Sequence, residues 1–206
     1  MSLSRYALKR KTDIQVLNDW IADGSRVLDL GCGRGVFLEQ LRRKKQCFVV
    51  GVDNNPDKIA SCVKRGVPVY QGDIMQALDI FPEQFFDWVV CSRTLQEVAD
   101  PSAILNRSLQ VGKRFAVGFV NFGFWLNRLI FLLRGGRVVN SVFPEPWYRS
   151  RPINPVSVDT FETYCTESNV EIERRVFLAG DWQTHIEVLP NIRAGYAIFE
   201  LRAEHR

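Results

Sequence analysis

Between Val27 and Gly35 the chain reads VLDLGCGRG. Three apolar residues, Val27, Leu28 and Leu30, surround one acid, Asp29, and glycine then takes every second position, at 31, 33 and 35. Beyond the glycines the apolar spacing turns helical, with Phe37, Leu38 and Leu41 apolar and Glu39, Gln40, Arg42 and Arg43 polar. A buried strand that enters a helix through a glycine turn is the layout of a nucleotide or nucleoside site. The turn needs glycine because it takes positive φ and because a ligand must approach the backbone closely. The helix that follows presents free N–H groups at its first turn.

The rest of the chain repeats this alternation. A basic lead, 5–11, runs into a first helix with Asp13 as its cap and Ile14, Val16, Leu17, Trp20 and Ile21 as its apolar face. Strands are expected at 26–30, 47–52, 67–71, 86–91 and 114–120. Helices are expected between them at 36–44, from Pro56 to the stop at Gly66, at 75–78 and at 101–109. Strand two is apolar almost throughout, as a parallel strand covered on both faces should be. Strands alternating with helices imply a parallel sheet with right-handed crossovers. Past Asn121 the rhythm changes. Residues 122–133 are rich in aromatics and leucine and read as a core helix, a lid or a docking surface, with core or lid the default. A loop with four prolines spans 144–155, a helix is expected at 159–166 with Phe161, Tyr164 and Cys165 inward, and 170–178 and 195–202 read as a terminal hairpin. The expected architecture is α/β: one Rossmann-like, doubly wound domain over residues 1–206.

Composition excludes several classes. The net charge of +4 is too mild to argue for nucleic acid. No apolar run approaches the roughly 20 residues of a membrane span. The first residues, MSLSRYALKRKTD, contain no apolar core of a secretory signal. Five cysteines, at 32, 47, 62, 91 and 165, make an odd number without C-x-x-C spacing, which suggests reduced thiols in a cytoplasmic protein and no metal site.

The glycine spacing discriminates among ligands. A dinucleotide fingerprint, G-x-G-x-x-G, needs glycine at 36, where this chain has Val36. An acid directly before the loop suits a cationic ligand better than a pyrophosphate. S-adenosylmethionine carries a sulfonium and an ammonium and no phosphate. Asp53 ends strand two, 22 residues past Gly31, where a carboxylate can accept from ribose hydroxyls. Asp73, after Gly72 and before Ile74, ends strand three and can meet an adenine, or cap the helix after it. The cofactor set read from the sequence is therefore Asp29, Gly31, Gly33, Gly35, Asp53, Asp73 and Ile74.

DLGCGRG, the strand-terminal Asp53, GDI at 72–74 and FDWVVCS at 86–92 resemble the class I S-adenosylmethionine-dependent methyltransferases over residues 20–120. That resemblance implies a mostly parallel seven-stranded sheet ending in an antiparallel hairpin. RGVPVYQGDI (65–74), SRTLQEVADP (92–101), VGKRFAVGFVNFGFW (111–125), EPWY (145–148) and VSVDTFETYCTESNVEIERR (156–175) are similar to the MetW family of methionine biosynthesis proteins. The similarity implies work alongside a homoserine O-acyltransferase. The family pattern has a proline before Asn-Phe-Gly and a histidine before the tryptophan, where this chain has Val120 and Phe124; a further family histidine has no counterpart at 152–156. Methyl transfer to a small-molecule acceptor is the alternative function.

Groups that could act as a base are few. Asn121 and Glu97 lead a set that also includes Asp100, Glu145 and Tyr148. His185 reads as a surface loop residue, and His205 stands next to the last residue of the sequence. Arg128, Arg134, Arg137, Arg149 and Arg151 surround the aromatic stretch and suit an anionic substrate, an acidic partner or a solvated rim.

Overall fold

The structure is a computed structural model that describes residues 5–139, 143–150 and 152–203; His205 and Arg151 lie outside them. The elements run α1 (Arg5–Trp20), β1 (Arg26–Leu30), α2 (Val36–Lys45), β2 (Phe48–Asp53), α3 (Pro56–Lys64), β3 (Val69–Gln71), α4 (Ile74–Ile80), β4 (Trp88–Ser92), a 3-10 turn (Leu95–Glu97), α5 (Pro101–Val111), β5 (Phe115–Val120), α6 (Trp125–Arg134), α7 (Val158–Glu167), β6 (Val170–Leu178), α8 (Pro190–Arg193) and β7 (Tyr196–Ala203).

The strands form a seven-stranded sheet in the order β3-β2-β1-β4-β5-β7-β6. The first five are parallel; β7 runs antiparallel to both β5 and β6. β1 lies at the centre of the parallel half, with Asp29 in register with Gly51 of β2 and Val90 of β4. The C-terminal hairpin expected from the pattern is there, and β6 carries a bulge between Ile172 and Arg174.

The side-chain period of two in a strand sorts residues onto two faces. On one face Leu28, Leu30, Val89, Phe115, Phe119 and Phe199 pack under α4, α5 and α7. On the other, Val27, Val49, Val90, Ala116 and Ile198 pack under α1, α2 and α3. Phe119 stacks on Phe199 at 5.7 Å, and Phe161 of α7 tilts against Phe119 at 4.9 Å and against Phe199 at 4.8 Å. Burying each such ring contributes about 1.5–3 kcal/mol.

Three expectations are corrected. Asp13 does not cap the first helix, because α1 begins eight residues earlier and carries position 13 within its body. There it is buried and ion-paired with Arg93, Nη2 to Oδ2 at 2.9 Å. Within 122–133, α6 is not a core helix: Asn127 is its buried residue and Trp125, Leu126, Leu129, Phe131, Leu132 and Leu133 are exposed, while Phe122 ahead of it packs against the core. Asn121 is a joint rather than a reacting group. It is fully buried; its Nδ2 donates to the carbonyls of Asn191 (2.9 Å) and Ala194 (2.8 Å), and its Oδ1 accepts from the N–H groups of Gly123 (2.9 Å) and Val158 (3.2 Å). That satisfies a primary amide, so little bonding capacity is left for a substrate.

Candidate functional site

The parallel strands end along one edge, and there a cavity of about 700 Å³ opens, within the usual size of small-molecule sites. Its wall includes Gly31 and Gly33 of the loop after β1, Asp53 at the end of β2, Gly72 to Met75 after β3, and Ser92 to Thr94 after β4. Open α/β sheets bind ligands at this edge.

The glycine turn is built as its sequence requires. Gly31, Gly33 and Gly35 have φ of 78°, 59° and 73°. A side chain on Gly31 would run into that of Thr94, and one on Gly35 would meet Cys62 Sγ at 2.9 Å. Gly31 and Gly33 therefore form cavity wall. Gly35 is outside the lining and lets α2 start close against α3.

Asp53 organises the far side of the turn. Its Oδ2 accepts from Gly33 N–H at 3.0 Å and from Lys58 Nζ at 3.3 Å, and Oδ1 accepts from Asn55 N–H at 3.0 Å. Asp73 caps α4 through Oδ1, which accepts from Met75 N–H at 2.8 Å and Gln76 N–H at 3.4 Å, while lining the cavity beside Ile74. The cap considered for Asp73 is therefore present, and the residue also lines the cavity. Asp29 is buried and lines a small annex of about 30 Å³ together with Asp13, Ile14, Leu17 and Phe37. Gly31, Ser92 and Arg93 belong to both the annex and the main cavity.

Charge sets what the cavity accepts. Its acids are Asp53, Asp73, Glu97 and Asp100; its cations are Arg34, Lys58 and Arg93. Lys58 is engaged by Asp53, and Arg93 turns back to Asp13. That leaves Asp73, Glu97 and Asp100 against Arg34, a field that favours a cationic ligand over a polyphosphate. Glu97, a candidate from the sequence, lines this cavity; Glu145, Tyr148 and His185 are exposed and do not.

Several residues here gave no local signal. Arg93 has φ of 65°; its N–H donates to Gly118 O at 2.7 Å, and its guanidinium lies 5.7 Å from the Trp182 ring. Ser92 Oγ donates to Asp13 Oδ2 at 3.1 Å and pairs with Tyr196 Oη at 2.9 Å; burial, then the nearby Asp13 charge, pushes the phenol upward. Gln96 is fully buried and ties the segment after β4 to the end of β5, with Oε1 accepting from Val120 N–H at 2.8 Å and Nε2 donating to Val120 O at 3.1 Å. Its Nε2 also reaches Asn154 O at 3.2 Å.

The cysteines of the site are packing groups. Cys32 and Cys62 lie Sγ to Sγ at 4.0 Å, and Cys62 donates to Gly33 O at 3.2 Å. Burial raises both thiols, most strongly Cys32, where the Asp29 charge adds to it. Among the described residues no cluster has the makings of a metal site, and no helix is long and apolar enough to cross a membrane.

Comparison with known proteins follows this geometry. An S-adenosylmethionine-dependent methyltransferase from Archaeoglobus fulgidus superposes with a TM-score of 0.67 at 18% identity, over 96% of this chain and 94% of that one. Another, from Mesorhizobium loti, gives 0.64 at 16%, over 95% and 99%. At such identities the likeness is one of fold. A ubiquinone biosynthesis O-methyltransferase from Xylella fastidiosa is 36% identical over 106 residues, 48% of this chain and 43% of that protein. The bifunctional methionine biosynthesis protein MetXA/MetW of Rhodopirellula baltica is 27% identical over 205 residues, covering 94% of this chain but 33% of its own length. The chain thus spans between a third and a half of the length of these two curated relatives. The sequence profile described as methionine biosynthesis protein MetW matches residues 11–201. A match along nearly the whole chain, on a methyltransferase fold whose glycine turn and strand-end acids share one cavity, means that this protein belongs to the MetW family.

Proposed function

We propose that the cavity binds S-adenosylmethionine and that the protein supports a homoserine O-acyltransferase in methionine biosynthesis. The observation that carries the first half is the convergence of Gly31, Gly33, Asp53, Asp73 and Ile74 on one cavity with an excess of unneutralised carboxylates. The donor set fits the ligand. Asp53 keeps lone-pair capacity for ribose hydroxyls beside its three present donors. Asp73 and Ile74 take the adenine, and Asp29, behind Gly31, faces the cationic amino-acid end. When bound, the cofactor supplies an activated methyl group; the chain supplies position, a field and exclusion of water.

The second half rests on family membership and on the Rhodopirellula relative, in which a MetW portion is joined to a MetXA portion in one polypeptide. Our reading takes the joined portion as the counterpart of the acyltransferase. Asn121, consumed by backbone bonds, leaves few groups for acceptor chemistry. Glu97 on the cavity wall is what speaks for the alternative, methylation of a small molecule.

The test is co-purification of this protein with a purified homoserine O-acyltransferase, with and without S-adenosylmethionine. A complex and a change in acyltransferase activity are expected. The absence of a complex at micromolar concentrations, together with turnover of S-adenosylmethionine on an acceptor, would favour the enzyme instead.

A further inference from the structure

α6 is amphipathic in the wrong sense for a lone molecule. Its buried residue is polar: Asn127 donates through Nδ2 to Asn121 O at 3.0 Å. The next residue, Arg128, donates through Nε to Gly123 O at 2.6 Å, so the start of the helix is fixed to the end of β5. Trp125, Leu126, Leu129, Leu132 and Leu133 recur at helical spacing and share the face turned away from Asn127. Leu132 and Leu133 are 79% and 74% exposed. A contiguous apolar face of this kind marks an interaction site.

Resting on the acyltransferase partnership proposed above, the geometry points to this face of α6 as the surface that docks the homoserine O-acyltransferase. Two observations select that occupant. Between Phe122 and Pro144 the sequence contains Arg128, Arg134 and Arg137 and no acid, so this segment carries only positive charge beside its apolar face and suits a partner surface that combines apolar and acidic groups. A second copy of this chain would bring arginines against arginines in a two-fold contact. The fused relative keeps its MetW portion permanently beside a second protein component, as a standing protein interface requires and a lipid surface does not. The dock also adjoins the cavity: α6 starts five residues after β5 ends, and Gln96 ties the end of β5 to the cavity-lining segment that follows β4.

The full chain, purified homoserine O-acyltransferase and two surface variants, Leu132→Glu and Arg134→Glu, test this. Leu132→Glu is expected to raise the dissociation constant at least tenfold, and Arg134→Glu to weaken binding and flatten its salt dependence. Both should keep the wild-type melting temperature, since neither side chain is buried. If wild type and Leu132→Glu bind the acyltransferase equally, the dock is overturned while the partnership stands. If wild type does not bind it, the partnership fails and the dock with it. Loss in Leu132→Glu of binding to phosphatidylglycerol–phosphatidylcholine vesicles, or of a wild-type dimer, with acyltransferase binding unaltered, would assign the face to a membrane or to a second copy and overturn the proposal.

Discussion

At Asp53 one carboxylate oxygen, Oδ2, pins the glycine turn at Gly33, the other, Oδ1, holds the N–H of Asn55, and the residue is part of the cavity wall. Removing the carboxylate frees the N–H of Gly33 and leaves Lys58 without its partner in the cavity wall. Asp53→Ala is therefore expected to weaken S-adenosylmethionine binding at least tenfold, or about 1.4 kcal/mol. Calorimetric titration is the measurement, and an unchanged affinity would remove Asp53 from the ribose role. The position of Asp53 at the end of β2 was legible because the chain switches there from apolar to polar residues; Asp29 stands one residue inside the end of β1, and Asp73 caps α4 just past β3. The role of Asp13 was not legible. Its partner Arg93 lies 80 positions away, and only the packing of α1 over the end of β4 brings the two together. Gln96 was silent for the same reason: its bonds to Val120 and Asn154 depend on the approach of separate chain segments, not on any local pattern.

At the scale of elements, the parallel strands and the helices between them follow hydrophobic period and glycine or proline punctuation, which act over a few residues. The stretch after β5 was open because helical periodicity reports that a face is apolar and not what covers it. In the fold that face is turned outward by the buried amide of Asn127. Asn121, the neighbouring joint, gathers α6, α7 and α8 at the end of β5 by bonding to the backbone beside each. Asn121→Ala leaves two buried N–H groups and two carbonyls without partners, at a cost of about 2–4 kcal/mol. A urea unfolding midpoint that stays put would contradict this. Its effect on cofactor affinity should be small, because the side chain does not reach the cavity.

Over the whole molecule, the five cysteines share one environment: all are free, buried and shifted upward by desolvation. Cys91 and Cys165 are pushed up to about 12 from the ordinary 9.0. An unfolded chain therefore loses thiol protons above pH 9 that the native one keeps. Their stabilisation is complete below that pH and is lost as pH rises toward 12, at about 1.4 kcal/mol per thiol for each pH unit. Urea titrations from pH 8 to 11 should show stability falling, with a shallower slope in Cys91→Ala; identical slopes would sink the assignment. The sheet explains this uniformity, since each cysteine lies on or under one of its two covered faces. The same sheet has only two open margins among the described residues. One is β3, three residues long; the other is β6, whose VEIERRVFL sequence carries charges at four of nine positions and breaks register at its bulge. A foreign strand finds little backbone to pair with at either margin. The molecule is thus guarded against templated aggregation at both margins of its sheet, so that any contact with another protein would fall to side chains rather than to an added strand.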